Sequence, residues 1–402
     1  MKVIGISGLE NSISFKRARW PGLDEREYRI VQGMDAAAAL VIDGKLVATA
    51  DQERFRGKKR TGDFPVDAIH SCLAEAGVSI DEIDEIAHGF DYAPYRVLYA
   101  QDEVSAELYR KVLSRDALLE QVRRDLPGFP EEKVFAVGHH RAHAASAAYT
   151  SGWNECLVVV NDAMGEIEGL SVYDFHDGEL ERIRTVRAKD SIGMLYSLVT
   201  LHLGFEFNSD EYKIMELAPY GDPSRFRQFF SKAVELRDDG SMRIPLLKLN
   251  NAREEGESYR ATRTYLDQKL VRHRPPGQPI EFIHEDAAAA LQECLERVVL
   301  HVCEHFAKVT GLRRVALAGG APLNGAAKKK LMRSRFFDAV YIQPAGGDDG
   351  AALGAALCRS SHARTIPNRR LPAPIFRPWS SASDSEATTS RDSISENVRA
   401  VR

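Results

Sequence analysis

Apolar positions along the chain follow two rhythms that alternate. Short apolar runs end at turn dipeptides, and after them come stretches in which apolar residues recur every three to four positions. Residues 35–50, "DAAAALVIDGKLVATA", read as strand, Asp-Gly turn, strand. Residues 157–186, "LVVVNDAMGEIEGLSVYDFHDGELERIRTV", repeat the theme as a buried strand, an acidic Gly-containing turn, a second strand, a tight turn and a third strand. Helical periodicity follows each hairpin region, in "VDAIHSCLAEAG" and in "IGMLYSLVTLHLG". The pattern predicts two related α/β lobes, residues 1–150 and 151–358. Residues 237–280 are polar and weakly periodic, which predicts a surface insertion into the second lobe. A long core helix is expected over 283–309, then "RRVALAGGAPLNGAAKKKL" and "DAVYIQPAGGDDGAALGAAL", each a strand, a glycine turn and a helix. Residues 359–402 are rich in Ser, Arg and Pro without an apolar period, and are expected to be a disordered tail.

Composition narrows the function classes. With 402 residues and 44% hydrophobic content the chain can bury two medium cores. A formal charge of −4 gives no basic field for nucleic acid or an anionic membrane, so neither partner is expected. No signal-like start and no membrane span are legible, and a cytoplasmic location is expected. Five scattered cysteines with no CxxC pair predict reduced, mostly buried thiols in place of a disulfide framework or a thiolate zinc site.

Candidate chemistry centres on "GHHRAHAASAAY", residues 138–149. Its alanines favour a helix, on which His139 and His143 share one face while His140 points elsewhere. Capping or core histidines are the alternative reading. Two imidazoles on one metal require carboxylates from other loops. Asp162 at the end of "LVVVND" and Asp348 in "PAGGDDG" stand where strand ends and glycine turns present side chains to a cleft. A two-His, two-carboxylate shell with open positions suits Fe(II), Mn(II) or Zn(II). The glycine turns before the last two helices, with Gly319, Gly320, Gly346 and Gly347, match the arrangement that brings backbone N–H groups to a phosphate, and ordinary tight turns explain any one of them equally.

With these motifs in place, the chain resembles the O-carbamoyltransferases that include the nodulation-factor and antibiotic enzymes. The resemblance rests on "DAAAALVIDGKLVATADQERF", "GHHRAHAASAAY", "NDAMGE", "IGMLYSLVTLHLGFEFNSDEYKIMELAPYG" and "LAGGAPLN" through "QPAGGDDGAALGAAL", in the family's order over nearly all of residues 1–357. The start "SGLENSISFKRARWPGLDEREYRIVQG" looks most like the nodulation branch. The resemblance implies an α/β, actin-like ATPase (ribonuclease H-like) duplicated two-lobe fold, with mixed sheets flanked by helices. It implies transfer of a carbamoyl group from carbamoyl-adenylate, made from ATP and carbamoyl phosphate, to a small-molecule or oligosaccharide hydroxyl, with Fe(II) or another divalent transition metal. His139, His143 and Asp348 then match metal ligands, and Asp162 the acidic residue beside the metal. Gly319, Gly320, Gly346, Gly347 and Asn324 would meet the nucleotide. Lys213 is a candidate cation for the phosphate or a developing oxyanion, or else a lysine paired with Glu211 or Glu216. Trp153 fits a core position better than a sugar platform.

Three departures from the family pattern stand out. Met34 precedes Asp35 where the family has histidine, which leaves Asp35 as the substitute general base. Ala163 replaces a glycine in "NDAMGE". The family's C-terminal carbamoyl-adenylate-forming domain is not matched by the tail. The expectation is therefore the transfer half of a split enzyme, served by a separate carbamoyl-adenylate-forming polypeptide and possible as a homo-oligomer. The alternatives are a truncated, inactive binding subunit and, by fold analogy alone, a sugar-kinase-like phosphotransferase.

Overall fold

The computed structural model describes residues 1–250, 253–320 and 325–360. Two five-stranded sheets carry the same plan. In the first, β1 (Lys2–Ile6), β2 (Ala37–Ile42), β3 (Lys45–Asp51), β4 (Glu85–His88) and β5 (Val134–Ala136) lie in the order β3-β2-β1-β4-β5. In the second, β6 (Glu155–Asn161), β7 (Glu168–His176), β8 (Glu179–Arg187), β11 (Arg314–Ala318) and β12 (Ala339–Ile342) lie in the order β12-β11-β6-β7-β8. A separate ribbon pairs β9 (Glu235–Leu236) with β10 (Met242–Arg243). Each main sheet is an antiparallel meander of three strands joined through its first strand to two parallel ones. This twice-used mixed sheet, with helices packed on it, is the duplicated two-lobe architecture of the actin-like ATPase fold.

Local chemistry explains the hairpins. Asp43 and Gly44, and again Asp177 and Gly178, adopt positive φ in succession, as a two-residue turn matched to the strand twist requires. Helices form at Val66–Ala76, Ile192–His202 and Phe282–Thr310, where the periodicity places them, and at His139–Thr150, where the alanines favour one.

Packing does not follow the sequence boundaries at 150 and 358. The His139–Thr150 helix packs on β6, β7 and β11 of the second sheet, while the Asp348–Arg359 helix packs on β1, β2 and β4 of the first. The two helices cross against each other, so each sheet is covered by a helix from the other half of the chain. Small residues permit this packing: a Cβ on Gly354 would stand 1.7 Å from the Ala142 carbonyl oxygen where the helices cross, and one on Gly5 of β1 would stand 1.8 Å from that of Ala352 where the last helix lies on the first sheet. Ile30, ahead of the first hairpin, likewise joins the core of the second sheet.

The stretch 237–280 is more than a surface insertion. Leu246, Leu247, Leu266, Leu270 and Val271 are buried in the core around the Phe282–Thr310 helix. Their apolar period was hidden because they sit in short elements, Pro245–Lys248 and Arg260–Lys269, and in the link beyond. Buried Lys16 fastens the segment to the chain start, its ammonium donating to the carbonyls of Glu27, Ile30 and Glu257 at 2.7–2.9 Å. The last helix runs through Arg359, whose guanidinium pairs with Glu85. The expected tail beyond residue 360 lies outside the described residues. Among the described residues, no helix is long and apolar enough to cross a membrane.

Candidate functional site between the crossed helices

The crossing brings four predicted residues together. His139 and His143 come from one helix, Asp348 from the first turn of the other, and Asp162 from the residue after β6. One donor atom from each lies within 4.8 Å of all the others. The two histidine Nε2 atoms are 3.0 Å apart. His139 Nε2 is 3.3 Å from Asp348 Oδ1 and 3.6 Å from Asp162 Oδ2, and His143 Nε2 is 3.8 Å from Asp348 Oδ1. His140 turns away and meets Ser171 Oγ at 2.8 Å, and burial lowers its pKa to about 3.

Backbone geometry fixes Asp162. Its carbonyl accepts from Ser191 Oγ at 2.7 Å, and Gly193 allows the Ile192–His202 helix to approach, since a Cβ there would lie 2.8 Å from that same carbonyl oxygen. Asp348 and Asp349 open the last helix, where the N-terminal dipole favours negative charge.

His139 is held from three sides, two of them by a loop that the motifs did not single out and the third by Glu166. Its Nδ1 is 2.9 Å from the Gly89 carbonyl oxygen, to which it donates. The Phe90 ring stacks on the imidazole with centroids 4.0 Å apart. The His139 backbone N–H donates to Glu166 Oε1 at 2.8 Å, and the same oxygen accepts from Asp91 N–H at 2.7 Å. With Nδ1 committed as a donor, the neutral ring presents a lone pair at Nε2, the orientation that metal-binding histidines take from an outer partner. Burial lowers the His139 pKa, but Asp348 and Asp162 outweigh it and hold it well above the usual value. In turn burial raises the pKa of Asp348, and His139 overcomes that and lowers it. A buried carboxylate, Asp162, and a partly buried one, Asp348, facing two buried imidazoles thus demand positive charge, and a divalent cation satisfies the demand with all four donors. The residues fit a metal.

Through Asp162 the cluster borders a cavity of about 370 Å³ between the lobes. Asp162, Ala163, Gly320, Gly346 and Gly347 line it, together with Tyr196, Tyr212 and Leu295 on one wall and Asp35, Asp51, Glu53 and Arg60 on another. Asp35 adopts φ 57° and pairs with Arg60 at 3.0 Å. Burial raises the Asp35 pKa to about 7 against the pull of Arg60, with the Asp348, Glu53 and Asp51 charges adding to the rise. Asp349, also lining the cavity, is pushed to about 8 by burial and by Asp35.

Other predicted residues fall elsewhere. Lys213 pairs with Asp210 at 3.0 Å, not with Glu211 or Glu216, and is not among the residues lining the cavity. Gly319 is also outside the lining. Its φ of +91° and the 2.4 Å that would separate a Cβ from the Asn161 carbonyl oxygen explain the glycine through packing. Asn324 lies outside the described residues. Trp153 is a partly buried core residue set edge-on to Tyr341. Arg60, Glu166 and the 89–91 loop were missed. Their contacts span 25 to 75 residues of sequence and leave no local pattern.

Fold and cluster define a two-lobed α/β protein of actin-like ATPase architecture, with a donor set able to hold a divalent metal at the interlobe cavity. The chain belongs to the carbamoyltransferase family, residues 31–357 matching the carbamoyltransferase N-terminus. It is 36% identical over 343 residues to nodulation protein NolNO of Sinorhizobium fredii, covering 84% of this chain and 48% of that protein. It is 36% identical over 244 residues to nodulation protein NolO of Bradyrhizobium diazoefficiens, covering 60% and 42%. The chain thus spans about half the length of the curated relatives it matches. Among solved structures, component A of the (R)-2-hydroxyglutaryl-CoA dehydratase of Acidaminococcus fermentans is similar at 13% identity and a TM-score of 0.45, covering 90% of this chain and 99% of that one.

Proposed function

We propose that the chain carries the transfer site of an O-carbamoyltransferase, moving a carbamoyl group from carbamoyl-adenylate to a sugar hydroxyl. The donor is formed from ATP and carbamoyl phosphate, and the sugar belongs to a nodulation-type lipochitooligosaccharide. The observation that carries this reading is one interlobe cavity lined both by Asp162, a member of the His139–His143–Asp162–Asp348 cluster, and by the Asp35–Arg60 pair, in a chain of this family.

The acceptor oxygen attacks the carbamoyl carbon, the bond from that carbon to the phosphate oxygen breaks, and AMP leaves. Asp35 takes the hydroxyl proton, and Arg60 holds its carboxylate in place. Gly320, Gly346 and Gly347 allow backbone to approach the nucleotide. His139, His143, Asp162 and Asp348 would hold the divalent metal, Fe(II) in the first instance. When bound, it supplies Lewis-acid stabilisation of charge on the leaving phosphate. The carboxylates of Asp35, Asp51 and Glu53 disfavour an anionic acceptor and accept hydrogen bonds from a polyhydroxylated one.

The test is transfer of label from carbamoyl phosphate, with ATP, Fe(II) and a chitooligosaccharide, with and without a carbamoyl-adenylate-forming polypeptide. Labelled sugar when that polypeptide is supplied supports the reading. A competent acceptor that stays unlabelled in both arms favours the second reading, a binding subunit, to which Met34 in place of the family's histidine points. Asp35→Asn is expected to cut the turnover number by about 10²–10⁴-fold, the usual range for a general base. The base must be ionised, so the parent rate should fall as pH drops through about 7, and Asp35→Asn should lose that limb of the profile.

A further inference from the structure

Glu166 lies outside the four-residue cluster, yet it sits where the cluster is assembled. It belongs to "NDAMGE", the turn that also supplies Asp162. The residue preceding the His139–Thr150 helix is Gly138, which has no side chain to cap the first N–H groups. Glu166 replaces the missing cap from across the chain. Its Oε1 accepts from His139 N–H at 2.8 Å and from Asp91 N–H at 2.7 Å, and the residue is 4% exposed. The loop it grips is the one whose Gly89 carbonyl orients the His139 ring and whose Phe90 covers its face. Gly165 completes the arrangement, because a Cβ there would come within 2.7 Å of the His140 ring and 3.4 Å of the His139 ring. Gln32 donates to the Gly165 carbonyl and accepts from Tyr92 OH, which ties the same turn to the same loop.

We propose that Glu166 is a positioning residue for the metal site: one carboxylate oxygen, shared between His139 N–H and Asp91 N–H, holds the helix start and the 89–91 loop in the register that aims His139 Nε2 at the other three donors. The inference rests on the metal reading of the cluster and not on the identity of the transferred group. Reach, more than charge, is the property that matters. Gln keeps an oxygen at the same distance, whereas Asp keeps the charge but is one methylene too short to reach both N–H groups.

The experiment titrates Co(II) into the metal-stripped full chain. Affinity is read by chelator competition, ligand geometry by the d–d absorption, and folding by circular dichroism. Glu166→Gln should bind Co(II) within about threefold of the parent, with the parent spectrum. Glu166→Asp and Glu166→Ala should bind about 10–100-fold more weakly, the range outer partners of metal ligands command, with an altered d–d band. If Glu166→Ala does not fold, the Gln and Asp comparison decides alone. Parent-like affinity and spectrum in Glu166→Asp would overturn the proposal, as would weak binding in Glu166→Gln alongside strong binding in Glu166→Asp. A parent chain that binds no Co(II) would sink the metal reading itself, whereas parent binding unaffected by Glu166 sinks only this inference.

Discussion

Alanine at both His139 and His143 is expected to give a folded protein that retains no stoichiometric divalent metal and transfers no measurable carbamoyl group. The helix should survive, because alanine is the strongest helix former and the segment already carries five alanines between positions 142 and 148. The site should not survive. The two Nε2 atoms stand 3.0 Å apart with Asp348 Oδ1 within 3.8 Å of both, and removing them leaves two carboxylates with no nitrogen donor. Metal affinity should fall by more than the roughly 10–100-fold that outer partners command, because these are the donors themselves. A ligand at 100 times its dissociation constant stabilises the folded state by about 2.7 kcal/mol. Added metal should therefore raise the melting temperature of the parent and leave that of the double variant unchanged. Metal analysis of the purified chains, paired with thermal unfolding in the presence and absence of Fe(II), checks both statements. A double variant that keeps stoichiometric metal would remove the four-residue assignment.

What could be read from sequence was what nearby residues determine. Asp43-Gly44 announces its hairpin because few other dipeptides accept two successive positive φ angles. His139 and His143 announce a shared face because four residues are nearly one helical turn. Asp162 and Asp348 were legible as strand-end and helix-start carboxylates, although nothing local showed that they meet. Residues whose roles depend on distant partners were silent. Glu166 looks like any acidic turn residue until Asp91, 75 positions earlier, is found on it. "GF" at 89–90 reads as a loop, and its hold on His139 spans 50 residues. Arg60 lay unremarked in "GKKRTGD", where its neighbours suggest only a solvated basic run. Lys213 shows the converse. A motif position drew attention to it, and what the fold adds is a local partner, the carboxylate of Asp210 three residues earlier.

Gly354→Ala, the addition of one methyl group, is expected to be among the most damaging single changes in the chain. The sequence shows "GAALGAAL" as a helix of small residues, and the structure shows what stands against it. The partner is the backbone of the other crossing helix: a Cβ on Gly354 would lie 1.7 Å from the Ala142 oxygen and 2.5 Å from its carbonyl carbon. Neither atom belongs to a side chain that can rotate aside, so relief requires the helices to move apart. Overpacking a core ordinarily costs about 1–3 kcal/mol, and a clash against backbone should exceed that range in a fold whose whole stability is of order 5–15 kcal/mol. The damage should also reach the site, because Ala142 lies between His139 and His143 and Gly354 lies on the helix that opens with Asp348. Separation of the helices therefore pulls two of the proposed metal ligands away from a third. The expected result is mostly insoluble protein, with any soluble fraction unfolding at lower denaturant and holding less metal. Gly256→Ala serves as the control. Gly256 is also within a helix, has nothing within 4 Å of its added Cβ, and should gain about 1 kcal/mol from helix propensity. Equal stability for the two variants would mean that the crossed helices are not packed as described, and the common origin of the fold and the metal site in that crossing would fall with it.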